Sequence, residues 1–168
     1  MTVARLSREA CSLWQFSLAV YEQPQVPPAC LMLQDCYGVD VNLLLYAGWR
    51  AWRGDALSDA GCVSALRRSD IWRQELVFPL RALRRRAGDL ARENPGFAQA
   101  YAAVKSCELE LEKQQQAMLA DGWVHDQGAE ADIATTLQVF AASMGIIEEG
   151  EVKPALATIT AAMESIAR

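Results

Sequence analysis

The sequence predicts an all-α fold, a helical bundle of about six to eight helices in one domain, and three observations carry that prediction. Apolar residues recur at three- and four-residue spacings, N-capping residues with glycines or prolines punctuate those runs at helix-length intervals, and no β-branched alternation persists for five residues. The chain has 168 residues, 52% of them apolar and 22% charged. At that length roughly 70% of the extended surface is buried on folding, so a core forms without disulfides or metals. Whole-chain disorder and a cystine scaffold are excluded.

In chain order, Ser7 caps a first helix whose apolar positions Ala10, Leu13, Trp14, Phe16, Leu18 and Val20 lead to Tyr21, with Pro24 as a stop. Pro27 and Pro28 suit the first turn of a second helix running from Ala29 to Tyr37, closed by Gly38 in the left-handed conformation. Asp40 caps a third, Val41 to Arg53, ended by Gly54. The short connections favour antiparallel neighbours. Ser58 or Asp59 opens a short helix through Arg68, and Ser69 or Asp70 restarts the chain into a longer one ending near Arg92. Pro79 falls inside it and is expected to kink or split it. From Pro95-Gly96 a helix runs to about Ala120; Ala129 to Ser143 and Val152 to Ala167 supply two more around a break at Gly145.

Charge is unevenly spread. The formal net charge of -5 divides into 12 Arg against 10 acids over residues 1–93, net +2, and 4 bases against 11 acids over residues 94–168, net -7. Eight arginines fall within residues 67–92 against Asp70, Glu75 and Asp89. If residues 72–92 are helical, Trp72, Leu76, Leu80, Leu83, Ala87 and Leu90 form one apolar stripe. Arg81, Arg85 and Arg92 then lie within about 40° of each other on the opposite side, with Arg84 on their flank. Such a face attracts an acidic protein or a small anion, or else pairs with the chain's own Glu108, Glu110 and Glu112. Nucleic acid is disfavoured, because the net charge is negative and no aromatic platform interleaves with the arginines.

A second candidate is the turn between the second and third helices, where Gln34, Asp35, Asp40 and Asn42 stand in an apolar setting. Asp40 is explained as an N-cap. Asn42, just before Leu43-Leu44-Leu45, needs hydrogen-bond partners if buried, and Gln34 and Asp35 are expected to supply them. The result is either a polar knot pinning helix two to helix three or a ligand-facing site. Trp49 and Trp52 read as core, with the rim of an interhelical groove as the alternative.

No catalytic constellation is found. The single histidine, His125, sits in a loop beside Asp126; no glycine-rich phosphate loop, GxSxG elbow or HExxH occurs, and no cofactor or metal set is expected. The five cysteines show no CxxC or zinc spacing and read as free thiols of a reducing cytoplasm. No run approaches the roughly 20 apolar residues of a membrane span, and Arg5, Arg8 and Glu9 interrupt any signal-peptide core.

The strings Leu13-Trp14-Gln15-Phe16-Ser17-Leu18, Ala29-Cys30-Leu31, Leu33-Gln34-Asp35 and Asp40-Val41-Asn42-Leu43-Leu44-Leu45, with the later Trp72-Arg73 and Pro79-Leu80-Arg81-Ala82-Leu83-Arg84, resemble a family of bacterial conserved hypothetical proteins of about this length. The resemblance covers roughly residues 13–86 and implies membership and an intracellular helical protein, with no activity or cofactor attached.

The first functional expectation is a small cytosolic helical interaction module binding an acidic partner through the Arg face. The alternative, from a different class, is a small-ligand binder or enzyme using the Asp35, Asp40 and Asn42 turn, with Arg81 or Arg84 holding an anionic group. It requires those groups to converge on one cavity. A self-associating structural protein, a homo-oligomer, is the third.

Overall fold

A computed structural model describes residues 10–122, 132–147 and 149–166. These residues form eight α-helices and no strand: α1 Leu13–Tyr21, α2 Val26–Tyr37, α3 Val41–Trp52, α4 Asp59–Trp72, α5 Phe78–Glu93, α6 Ala98–Asp121, α7 Ile133–Ser143 and α8 Val152–Ile166. Ser7, Trp123, His125 and the expected helix start at Ala129 lie outside the described residues.

The punctuation of the sequence sets most boundaries. Ser12 begins α1 with a capping box, its hydroxyl accepting from the Gln15 N–H while the Gln15 side chain accepts from the Ser12 N–H. The helix α2 starts at Val26, with prolines in its first turn where no N–H is needed. It ends on Gly38 at φ 67°, with Gly38 N–H bonding to Gln34 O and Val39 N–H to Leu33 O.

The helix α3 is the centre of the fold. All twelve of its residues are buried, and it touches α1, α2, α4, α6, α7 and α8. A helix buried on every side has no solvent face to present, so the others wrap it. Leu43, Leu44 and Leu45 are at most 2% exposed, and such burial stabilises by roughly 1.5–3 kcal/mol per side chain. Gly48 allows the closest approach, because a Cβ there would run into the end of the Met163 side chain on α8. Trp49 and Trp52 belong to this core; Trp52 packs on Phe16 at 5.2 Å between ring centroids, and Trp49 Nε1 donates to Cys11 O. Arg50 is buried as well, with Nη2 on Asp55 Oδ2, Nη1 donating to Tyr46 Oη and Nε to Asp55 O. Each donating edge of its guanidinium is thus spent inside the protein, as a buried charge requires.

Around α3, α5 lies along α6, α2 along α8 and α3 along α7. The expected restart near Ser69 does not occur. The helix α4 continues to Trp72 and joins α5 through a π-helical turn, Arg73–Val77, in which Phe78 N–H reaches Arg73 O. Pro79 has no N–H for Glu75 O and its ring crowds that carbonyl, and a widened turn relieves both. The π turn inserts one residue relative to a regular helix, which corrects the expected faces of α5. Continued without it, the buried row of α4 (Cys62, Ala65, Ser69) would run into Trp72, Leu76, Leu80 and Leu83, the stripe expected from the sequence. Moved by one position, the row becomes Arg73, Val77 and Arg81, all buried, while Leu76 and Leu83 are 40% and 52% exposed. Part of the arginine face therefore points into the protein.

Candidate functional site

The buried polar groups gather at the N-terminus of α3. Asp40 accepts from the N–H groups of Asn42 and Leu43 through Oδ1, as an N-cap does. Its Oδ2 accepts from Gln115 Nε2 at 3.0 Å and faces Arg73 Nε at 3.0 Å. Asn42 Nδ2 donates to Gln115 Oε1 at 2.8 Å, and Asn42 Oδ1 accepts from Gln116 Nε2 at 2.8 Å. Ser17 donates to Gln116 Oε1, and Gln115 Nε2 also donates to Ser69 Oγ. Side chains from α1, α3, α4, α6 and the π turn thus close one network, every member at most 9% exposed. The partners of Asn42 are the two glutamines of α6, not Gln34 and Asp35.

One helical turn and more away, α5 and α6 share a charged cluster. Arg81, 3% exposed, sets Nη2 on Glu112 Oε1 at 2.9 Å and Nε 3.5 Å from Glu108 Oε1. Arg84 Nε lies 2.6 Å from Glu108 Oε2. Burial raises the Glu108 carboxyl above its ordinary range; the Glu112 charge adds to this, while Arg84 and Arg81 oppose it. On the surface Arg85 pairs with Asp35 at 3.3 Å and Arg92 with Asp89. The four arginines of the expected basic face are thus each paired with a carboxylate of this chain.

Three adjoining cavities lie between α1 and α2 on one side and α3, α5 and α6 on the other. The largest, about 500 Å³, is lined by Tyr21, Leu31, Gln34, Arg84, Lys105 and Leu109 with Glu108 and Glu112. An inner chamber of about 150 Å³ continues from it, sharing Tyr21, Gln34, Leu109 and Glu112; Trp14, Leu18 and Leu45 form its walls, and Ser17, Asn42 and Gln116 bring the polar network to its lining. The third, about 100 Å³, lies past Gln34 between Val39, Phe78, Arg81 and Arg85. Leu18, Leu31 and Leu109 are about half exposed at the cleft. Tyr21 stands beside Cys30, and burial and the neighbouring thiol hold its phenol above the ordinary range; burial pushes the Cys30 thiol up to about 11. Lys105 makes no ion pair among the described residues.

Of the residues the sequence singled out, Gln34, Asn42 and Arg84 line the cleft and its chamber, while Arg81 and Arg85 line the cavity next to it. Asp40 is buried behind them in the network. Asp35 stands outside on the surface, and Arg92 lies near the far end of α5. Sequence reasoning missed Ser17, Tyr21, Ser69, Arg73, Lys105, Gln115 and Gln116. The spacing Glu108, Gln115, Leu119 on one face of α6 carried the signal for the glutamines, since it continues a buried row through polar residues. Among the described residues no group of three His, Cys, Asp or Glu side chains is placed to hold a metal, and no helix is long and apolar enough to cross a membrane.

One family model, described as a protein of unknown function, matches residues 12–119, the segment that holds every side chain of the network and of the three cavities. No curated protein and no solved structure matches the chain.

Proposed function

The chain belongs to the DUF2390 family of proteins of unknown function, and from the cleft inside the matched segment we propose that it is a binding protein for a small amphipathic anion. The observation that carries this reading is the continuity of a cleft of about 500 Å³ with a chamber of about 150 Å³, within the size range of small-molecule sites. Trp14, Leu18, Leu45 and Leu109 offer an apolar wall to the body of the ligand. The Lys105 ammonium, which makes no ion pair among the described residues, offers a counter-charge in the cleft for a carboxylate head. Supporting the choice over an acidic protein partner, four of the five arginines of α5, Arg81, Arg84, Arg85 and Arg92, are already met by Asp35, Asp89, Glu108 and Glu112. The five cysteines, all free, support a reducing compartment such as the bacterial cytoplasm.

The test is calorimetric titration with octanoate, octanol and octylamine. Octanoate is expected to bind most tightly. Leu109→Arg blocks the mouth and abolishes binding, and Lys105→Glu removes the preference for the acid over the amine. Both positions are exposed, so the variants keep the fold. Absence of octanoate binding, or binding unaffected by Leu109→Arg, overturns the proposal.

A further inference from the structure

Among the described residues, α5 packs closely along one other α-helix only, α6, and the offset of the π turn leaves it an apolar row facing solvent. Leu76 and Leu83 are 40% and 52% exposed, and Leu80 and Leu90 are half-buried. Spacings of four, three and seven keep these leucines on one side of the helix. Arg85, which reaches Asp35 of α2, lies about 200° round from Leu83 and so points away from that side. A leucine exposed singly is ordinary, whereas a contiguous exposed row marks an interaction surface. None of the four leucines lines the cleft or the two cavities beside it, so this face stands apart from the site proposed above.

Glu75 and Arg86 flank the row. Both are exposed, and neither makes an ion pair among the described residues; Arg86 is the α5 arginine that the chain's own carboxylates leave unmet. Eleven residues on, at about 100° each, Arg86 returns to within about 40° of Glu75, the wider π turn included, and lies about 16 Å further along the helix. Opposite charges at the two ends of one apolar row are complementary to themselves under a two-fold axis: an antiparallel copy brings its Arg86 to Glu75 and its Glu75 to Arg86, so the pairing occurs twice, as in any isologous contact. With the axis level with the Leu80–Arg81 peptide, the other copy's Leu83 comes level with position 78, between Leu76 and Leu80. We infer that this face of α5 is the interface of an antiparallel homodimer, its occupant a second copy of this chain. The π turn then has a use for the leucines that it turns outward.

Sedimentation equilibrium of the full chain over a micromolar-to-millimolar series tests this. Wild type is expected to pass from monomer to dimer as concentration rises. Leu83→Glu, at a position open to solvent, keeps the circular dichroism of wild type and stays monomeric throughout. Arg86→Glu and Glu75→Arg each set like charges against one another twice and weaken the dimer about tenfold or more. An equimolar mixture of these two variants restores both opposite-charge pairs, as does the double variant Glu75→Arg/Arg86→Glu, and each regains the affinity of wild type. Octanoate binding by Leu83→Glu equals that of wild type, which separates this interface from the cleft. A wild type that is monomeric at every concentration, a dimer indifferent to Leu83→Glu, or charge reversals that the mixture and the double variant fail to rescue overturns the inference.

Discussion

Replacing Asn42 with leucine removes the node through which α3 holds both glutamines of α6. The change leaves Gln115 Oε1 and Gln116 Nε2 without their 2.8 Å partners, at residues 0% and 2% exposed. An orphaned buried polar group costs about 1–3 kcal/mol, so Asn42→Leu should destabilise by about 2–6 kcal/mol. Gln115→Leu orphans Asn42 Nδ2 and takes one of the two side-chain partners from Asp40 Oδ2, with Arg73 still in place; about 2–5 kcal/mol follows on the same scale. In the double variant the Asn42–Gln115 pair disappears from both sides, and no orphan arises between them. Its cost should fall below the sum of the single costs by about 1–3 kcal/mol, the range found for residues in direct contact. Urea unfolding of the four proteins, followed by far-ultraviolet circular dichroism and by tryptophan fluorescence, measures the cycle. Additivity within about 0.5 kcal/mol would refute the reasoning that the network is energetically one unit.

Two further outcomes follow from single residues. The folded chain holds the Glu108 carboxyl above its ordinary 4.5, so it retains a proton that the unfolded chain has already released. The stability this contributes is fully present below pH 4.5 and is lost as pH rises through the folded value. Unfolding free energies measured over a pH series should therefore show wild type losing stability relative to Glu108→Gln across that window, and a rising difference would contradict the burial argument. Gly38→Ala places a side chain at φ 67° with nothing within 4 Å of the new Cβ; the penalty is conformational alone, about 1–2 kcal/mol. At about 2–4 °C per kcal/mol for a chain of this size, calorimetry should record a midpoint lowered by about 2–8 °C, and an unchanged midpoint would deny the left-handed cap.

The local rules of the sequence read the N-terminal half well. Gly38 and Asp40 bracket the turn before α3 as expected, and Pro27 and Pro28 sit in the first turn of α2. These are short-range effects, decided within four residues by backbone chemistry. The α4–α5 segment was legible only in part, because the π turn is set by Pro79 acting on a carbonyl four residues back, and the resulting one-residue offset carries through every later position. The site was legible as residue types and not as pairs. Asn42 was identifiable as a polar residue in an apolar setting, but its partners lie 73 and 74 residues away, a separation at which no spacing rule operates. Lys105 and Tyr21 had no distinguishing local pattern at all; only the meeting of α1, α2 and α6 gives them a common cavity.

The π turn also means that residues 59–93 contain two helical frames. In the frame the protein uses, Arg73, Val77 and Arg81 are inside and Leu76 and Leu83 are outside. In the frame of an uninterrupted helix, the leucines continue the buried row of α4 and the arginines turn to solvent, at the expense of Pro79 in a helix interior, about 3 kcal/mol. Regularising the turn at unchanged chain length removes no side chain of the cleft, yet it rotates every residue of α5 by about 100° about the helix axis. Deleting one residue from Gln74–Leu76 together with the π turn leaves that frame as it is, because the turn is the extra residue. For this protein, therefore, the winding of one turn governs whether its guanidinium groups meet Glu108 and Glu112 or water.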